Sequence, residues 1–203
     1  MNPQKLTQSD RKKAAVIEAA IEEFKEKGFQ GASMDSISAR AGVSKRTVYN
    51  HFSSKDLLFQ QLALQFFQYA AEMTHLEYQP LQPLEVQLLQ FAEKEIALLA
   101  LENFRDMARV MLSECIHSPQ LVATTMGQLN EQQSDLQLWI SAAIEDGRLK
   151  EMDPEQGAAQ LLGLIKASAF WPQILMAKPV PGPEQRAQIA ESSVGMFLSY
   201  YRQ

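Results

Sequence analysis

SMDSISARAGVSKRTVYNHFSSK, residues Ser33–Lys55, sets two short helical patterns around one glycine. Ser33 is a good N-cap, Asp35 suits the first turn after it, and Ile37 and Ala41 form an inward pair. Gly42 breaks that helix, and Ser44 can cap the next one. Two short helices joined by a glycine-containing turn make a helix-turn-helix. At about 100° per residue, Phe52 falls about 40° from Val48, and both point inward. Arg46 and Asn50 then lie on the opposite side, with Thr47 and Tyr49 to either flank. The exposed arc carries guanidinium, amide, hydroxyl and phenol groups, which can meet base edges and phosphates in a major groove.

Before this stretch, Val16, Ile17, Ala20, Ile21 and Phe24 make one helical face. That helix is expected to start near Ser9 or Asp10 and to stop at Gly28. After it, Ser53 with Asp56 is expected to cap a long fourth helix running to about Tyr78. Ser44 and Lys45, Ser33, and Lys55 each sit at a helix start, where free N–H groups favour an anion.

The charge follows the same division. The first sixty residues hold ten Lys/Arg against seven Asp/Glu, a net of +3. The remainder holds nine against seventeen, so a −8 body lies behind the chain's overall −5. Such asymmetry points to two parts with different partners. On periodicity alone, a solvated three-helix cap with inert polar residues stays open beside a DNA-reading head. His51 taken singly also reads as a packed or capping residue.

Helical spacing recurs through the rest of the 203 residues. Pro80 and Pro83 mark a boundary. Helices are expected over Leu84–Leu101, Asn103–Ile116, Pro119–Asp146, Asp153 to about Met176 with an interruption at Pro172, and Glu184–Tyr201. The expected fold is all-α with about nine helices: a three-helix helix-turn-helix domain over residues 1–55 and a larger helical domain over residues 56–203.

Phe24–Phe59 resembles the N-terminal DNA-binding domain of the TetR family of transcriptional regulators. The matching positions include Phe24, Gly28, Met34, Ile37, Ala41-Gly-Val43, Ser44-Lys45, Thr47, Tyr49, His51-Phe52, Ser54-Lys55 and Leu58-Phe59. The resemblance implies a homodimer whose paired third helices read a pseudo-palindromic operator, and a helical C-terminal body that binds a small effector. By position it implies phosphate contacts at Ser33, Thr47, Tyr49, His51 and Lys55, and base readout at Ser44, Lys45, Arg46 and Asn50. Geometry fits Arg46 to guanine and Asn50 to adenine. Loss of Lys55 would then flatten the salt slope of binding by about one. In this family the basic run Arg11-Lys-Lys13 can approach the neighbouring minor groove.

The segment Gly163–Pro172, with Phe170-Trp-Pro172, is similar to the AefR-like branch. The resemblance places a cavity among helices carrying Phe104, Met107, Met111, Cys115, Met126, Leu136 and Trp139; ordinary core is the alternative for each. The expected effector is apolar or aromatic. Gly163, Ala167 and Phe170, with Phe197 and Tyr200 on the last helix, suit a two-fold helical interface, with intrachain core again the alternative.

An enzyme is disfavoured. No HExxH, GxGxxG, GxxxxGK[ST] or GxSxG pattern is present, and no Cys/His cluster has metal-ligand spacing. Cys115 and His117 point apart at i, i+2. Neither cofactor nor metal is expected. The single cysteine fits a reducing compartment, no leader-like apolar block opens the chain, and Ala158–Ala177 is too polar to span a membrane. A cytoplasmic, ligand-responsive repressor is the leading reading. A non-enzymatic protein-interaction module with an inert head is the rival.

Overall fold

A computed structural model describes residues 7–118, 120–121, 123–124 and 133–203. Among the described residues the regular structure is helical: α1 (Gln8–Gly31), α2 (Met34–Arg40), α3 (Lys45–His51), α4 (Lys55–Met73), α5 (Leu84–Leu99), α6 (Glu102–His117), α7 (Asp135–Glu145), α8 (Pro154–Ala169), α9 (Trp171–Leu175) and α10 (Pro183–Tyr201). An isolated antiparallel bridge pairs Leu149 with Arg202. The chain packs as two compact units, Met1–Phe67 with Asp106–Leu129, and Gln68–Arg105 with Asn130–Gln203.

In the first unit, Thr7 caps α1 in a reciprocal arrangement with Asp10, two to three residues earlier than the expected start near Ser9 or Asp10. Gly28 leaves helical geometry at φ 70°, and a last turn continues to Gly31. Phe24, Phe29 and Phe59 pack as an aromatic trio with ring centroids 5.1–6.2 Å apart. Val16, Ala20, Ile37, Val48 and Leu58 are fully buried around them. Met107, Val110 and Met111 of α6 belong to this same core. They lie more than seventy positions past the end of α1, so no local pattern connects them. Lys25 reinforces the α1–α6 packing with an ion pair to Asp106 at 3.1 Å.

Ser54, rather than Ser53, caps α4, accepting from Leu57 N–H at 3.2 Å. α4 ends at Met73, five residues short of the expected Tyr78. In the second unit the chain beyond it is non-helical and tied down by side chains. Leu76 N–H and the His75 ring bind Asp135, and the Tyr78 hydroxyl donates to Asp146 at 2.6 Å. These tertiary partners outweigh helix continuation.

The second unit packs α10 on α5 and α8, and α7 on α8. α7 starts at Asp135 because Ser134 and Gln137 form a capping box, so the helix expected from Pro119 is broken before Asp135. Gly157 lets α8 approach closely: a Cβ there would meet Met152 Sδ at 2.7 Å and Ile140 Cδ1 at 3.2 Å. The interruption expected at Pro172 is real. Phe170 takes φ −134°, ending α8, and Pro172 sits in the first turn of the short α9.

Trp139 is buried with its indole N–H donating to Gln87 Oε1 at 2.9 Å. The same oxygen accepts from Gln79 N–H, while Gln87 Nε2 donates to the carbonyls of Gln79 and Gln82. One glutamine thus satisfies a buried tryptophan and the loop ahead of α5.

Candidate nucleic-acid interface

The α2–α3 turn has one defined geometry. Val43 N–H bonds Ser38 C=O at 3.2 Å and Gly42 N–H bonds Ala39 C=O at 3.3 Å. This is the paired closure of a Schellman motif. It needs a left-handed residue, and Gly42 supplies φ +64°. The turn lets α3 bury Val48 on the head core while Arg46, Tyr49 and Asn50 face outward.

The polar groups of this surface divide by occupation. Ser33 caps α2 through Ser36 N–H, and Ser44 caps α3 through Thr47 N–H. The Ser44 and Thr47 hydroxyls also bond each other at 2.9 Å. These three hydroxyls shape the motif, whatever else they touch. His51 is half-buried with its ring tilted against Phe52. The Lys45 ammonium reaches Asp35 Oδ2 at 2.6 Å. Among the described residues, the side chains of Arg46, Tyr49 and Asn50 make no hydrogen bond or ion pair within the chain, leaving their donors and acceptors for an outside partner.

Lys55, expected at a phosphate, holds the end of α1 in this structure. Its ammonium donates to the carbonyls of Phe29 at 2.6 Å and Ala32 at 2.9 Å, with Gln30 at 3.5 Å, and lies 4.4 Å from the Phe29 ring centroid. Those carbonyls lie at and just past the end of α1, where the helix cannot satisfy its own acceptors. No sequence spacing predicts this pairing.

Glu23 is another buried group the sequence reading missed. Its carboxylate, 2% exposed, takes Lys27 Nζ at 2.7 Å and Arg40 Nε at 2.8 Å. Arg40 also pairs with Glu26. Hydrogen bonds from Lys27, Ser36 and Arg40 hold the Glu23 carboxyl down to about 2. The i, i+4 step to Lys27 is visible in sequence; the link to Arg40 on α2 is not. Much of the head's positive charge is therefore spent on structure. Arg11, Lys12 and Arg46 have no carboxylate at ion-pair distance among the described residues, nor does Lys13, which lies 5.9 Å from the Phe52 ring centroid.

A free row of donors on a third helix anchored by its buried face suits insertion into a major groove. Residues 16–62 match the family described as bacterial regulatory proteins, tetR family, and residues 86–203 match the AefR-like transcriptional repressor, C-terminal domain. The chain belongs to the TetR family. The regulator is similar to a solved TetR family transcriptional regulator from Pseudomonas syringae pv. tomato, 40% identical, covering 95% of this chain and 98% of that one with a TM-score of 0.81. It is also similar to the flavonoid-responsive regulator FrrA, 26% identical over 95% of this chain and 97% of that one, TM-score 0.76. The transcriptional regulator UidR of Escherichia coli K12 is 26% identical over 163 residues, 78% of each chain. This TetR-family protein is a DNA-binding transcriptional regulator, and its relatives are regulators too.

The expected cavity residues of the regulator fall in both units. Met107 and Met111 lie in the head core, Cys115 is exposed on α6, and Leu136 and Trp139 are buried in the second unit, as is Phe104. Met126 lies outside the described residues. An open cleft of about 680 Å³ lies elsewhere, beside Ala167, Gln173, Pro181 and Ile189. Of the residues expected at a dimer interface, Phe170 and Phe197 are buried within the protomer, while Gly163, Ala167 and Tyr200 are exposed. Among the described residues, no three His, Cys, Asp or Glu side chains gather as a metal site, and no helix is long and apolar enough to cross a membrane.

Proposed function

We propose that this regulator is a homodimeric repressor that leaves a pseudo-palindromic operator when a small apolar or aromatic effector binds its C-terminal body. The observation that carries the reading is the unoccupied row Arg46, Tyr49 and Asn50 on α3. Arg46 and Asn50 face base edges, with Lys45 beside them, and Tyr49 and the basic run Arg11-Lys-Lys13 in the first turns of α1 meet the backbone. The capping hydroxyls of Ser33, Ser44 and Thr47, and the Lys55 clamp, hold the row in place.

Repression is supported by the description of the matching C-terminal family. An aromatic effector is supported by the flavonoid-responsive name of one relative. Dimerisation is supported by exposed Met196 and Tyr200 on α10 and the small, exposed Gly163 and Ala167 on α8, two helices that pack together. Effector binding shifts α4, the helix that continues directly from Lys55, and so changes the separation of the paired heads. Half-sites about one turn, ~34–36 Å, apart tolerate little change in that separation.

Selection of bound duplexes from a random pool, with and without flavonoid and other aromatic ligands, tests this. A two-fold-symmetric motif depleted by a ligand is expected. No enrichment sinks DNA reading, an asymmetric motif sinks the dimer, and a motif indifferent to every ligand sinks the proposed release.

A further inference from the structure

We propose that Asp35 is a positioning residue for DNA reading: its carboxylate pins the Lys45 ammonium toward base edges and keeps it from the phosphate backbone. The inference rests on the proposed reading role of α3. Asp35 is the one acidic side chain between Ser33 and Lys55. It stands on α2, and Lys45 opens α3, so the 2.6 Å contact bridges the two helices of the motif. Both side chains stay largely exposed, at 59% and 65%.

An exposed ion pair contributes little to folding. A carboxylate on a surface that must approach a polyanion also opposes binding. The place of Asp35 in the first turn of α2 accounts for a carboxylate there but not for its contact with Lys45 on α3, whereas aiming Lys45 does. Lysine has three ammonium donors on a flexible stem, and one of them is committed to Asp35. The other two are presented from a restricted position beside Arg46, where a guanine O6/N7 edge can take them. An unpinned ammonium follows the nearest phosphate on any sequence. Asp35 thereby subtracts one backbone contact from non-specific complexes and leaves the base contact in the specific one.

The test compares the full chain with Asp35→Asn on two duplexes, the selected operator and a shuffled control, over a salt series. For Asp35→Asn, affinity for the shuffled duplex should rise about threefold to tenfold, with its salt slope steeper by about one. Operator affinity should stay level or fall, so the specificity ratio drops. In a Lys45→Met background, Asp35→Asn should leave the specificity ratio unchanged, because the loss of carboxylate repulsion then acts on both duplexes alike. An unchanged ratio, or a ratio change that survives in the Lys45→Met background, overturns the proposal. Asp35→Ala serves as a second variant, and equal melting temperatures exclude a folding effect. Failure of the wild-type chain to prefer any duplex would instead overturn the DNA-reading role, and with it this inference.

Discussion

Lys55 Nζ donates to the Phe29 carbonyl at 2.6 Å while sitting 4.4 Å from the centre of the Phe29 ring. One residue at the start of α4 thus closes the end of α1. Lys55→Met should lower head stability by about 2 kcal/mol, since hydrogen bonds to a charged donor are lost and partly buried carbonyls are left open. The salt slope of DNA binding should not move. Thermal melting and a salt titration separate the two roles: a slope reduced by about one would return Lys55 to the phosphate backbone.

The buried Glu23 carboxylate gives the head an acid-sensitive joint. Its folded pKa, near 2, lies below the ordinary 4.5. A depressed carboxylate contributes stability above the unfolded pKa, and that contribution fades as pH falls toward the folded one. Glu23→Gln should therefore melt below wild type by a constant margin at neutral pH. The margin should shrink between pH 4.5 and about 2. A margin that ignores pH would mean that Arg40 and Lys27 do not stabilise the ionised form.

Arg46 carries an uncommitted guanidinium on the exposed face of α3. Arg46→Ala should cost about 1–3 kcal/mol on the selected operator and relax preference at one base pair in each half-site. Repeating the duplex selection with the variant checks this. A uniform loss over all sequences would assign Arg46 to phosphate.

Gln87→Leu should destabilise the second unit by about 1–3 kcal/mol, because the Trp139 indole N–H and the Gln79 N–H lose their shared acceptor. Denaturation followed by tryptophan fluorescence would report it. An unchanged midpoint would show that water replaces the glutamine without cost.

What could be read from sequence depended on range. Helix starts at Ser33 and Ser44, the inward Val48 and the turn at Gly42 are short-range chemistry, and each is present in the structure. The caps at Thr7 and Ser54 missed by one to three residues, because neighbouring Ser, Thr and Asp residues all suit the role. Lys55, Glu23–Arg40 and the α6 methionines could not be read, since their partners are set by tertiary folding. The outward row Arg46–Asn50 was readable as a surface, and its freedom from internal partners was not.

Met107, Val110 and Met111 close the core around Phe24 and Phe59 from a helix that follows α4 and α5 in the chain. The head is therefore not a portable cassette. A fragment cut after α4 would leave one side of the aromatic trio in water. A chimera that grafts this helix-turn-helix onto a foreign body must carry the matching half of α6, or redesign it.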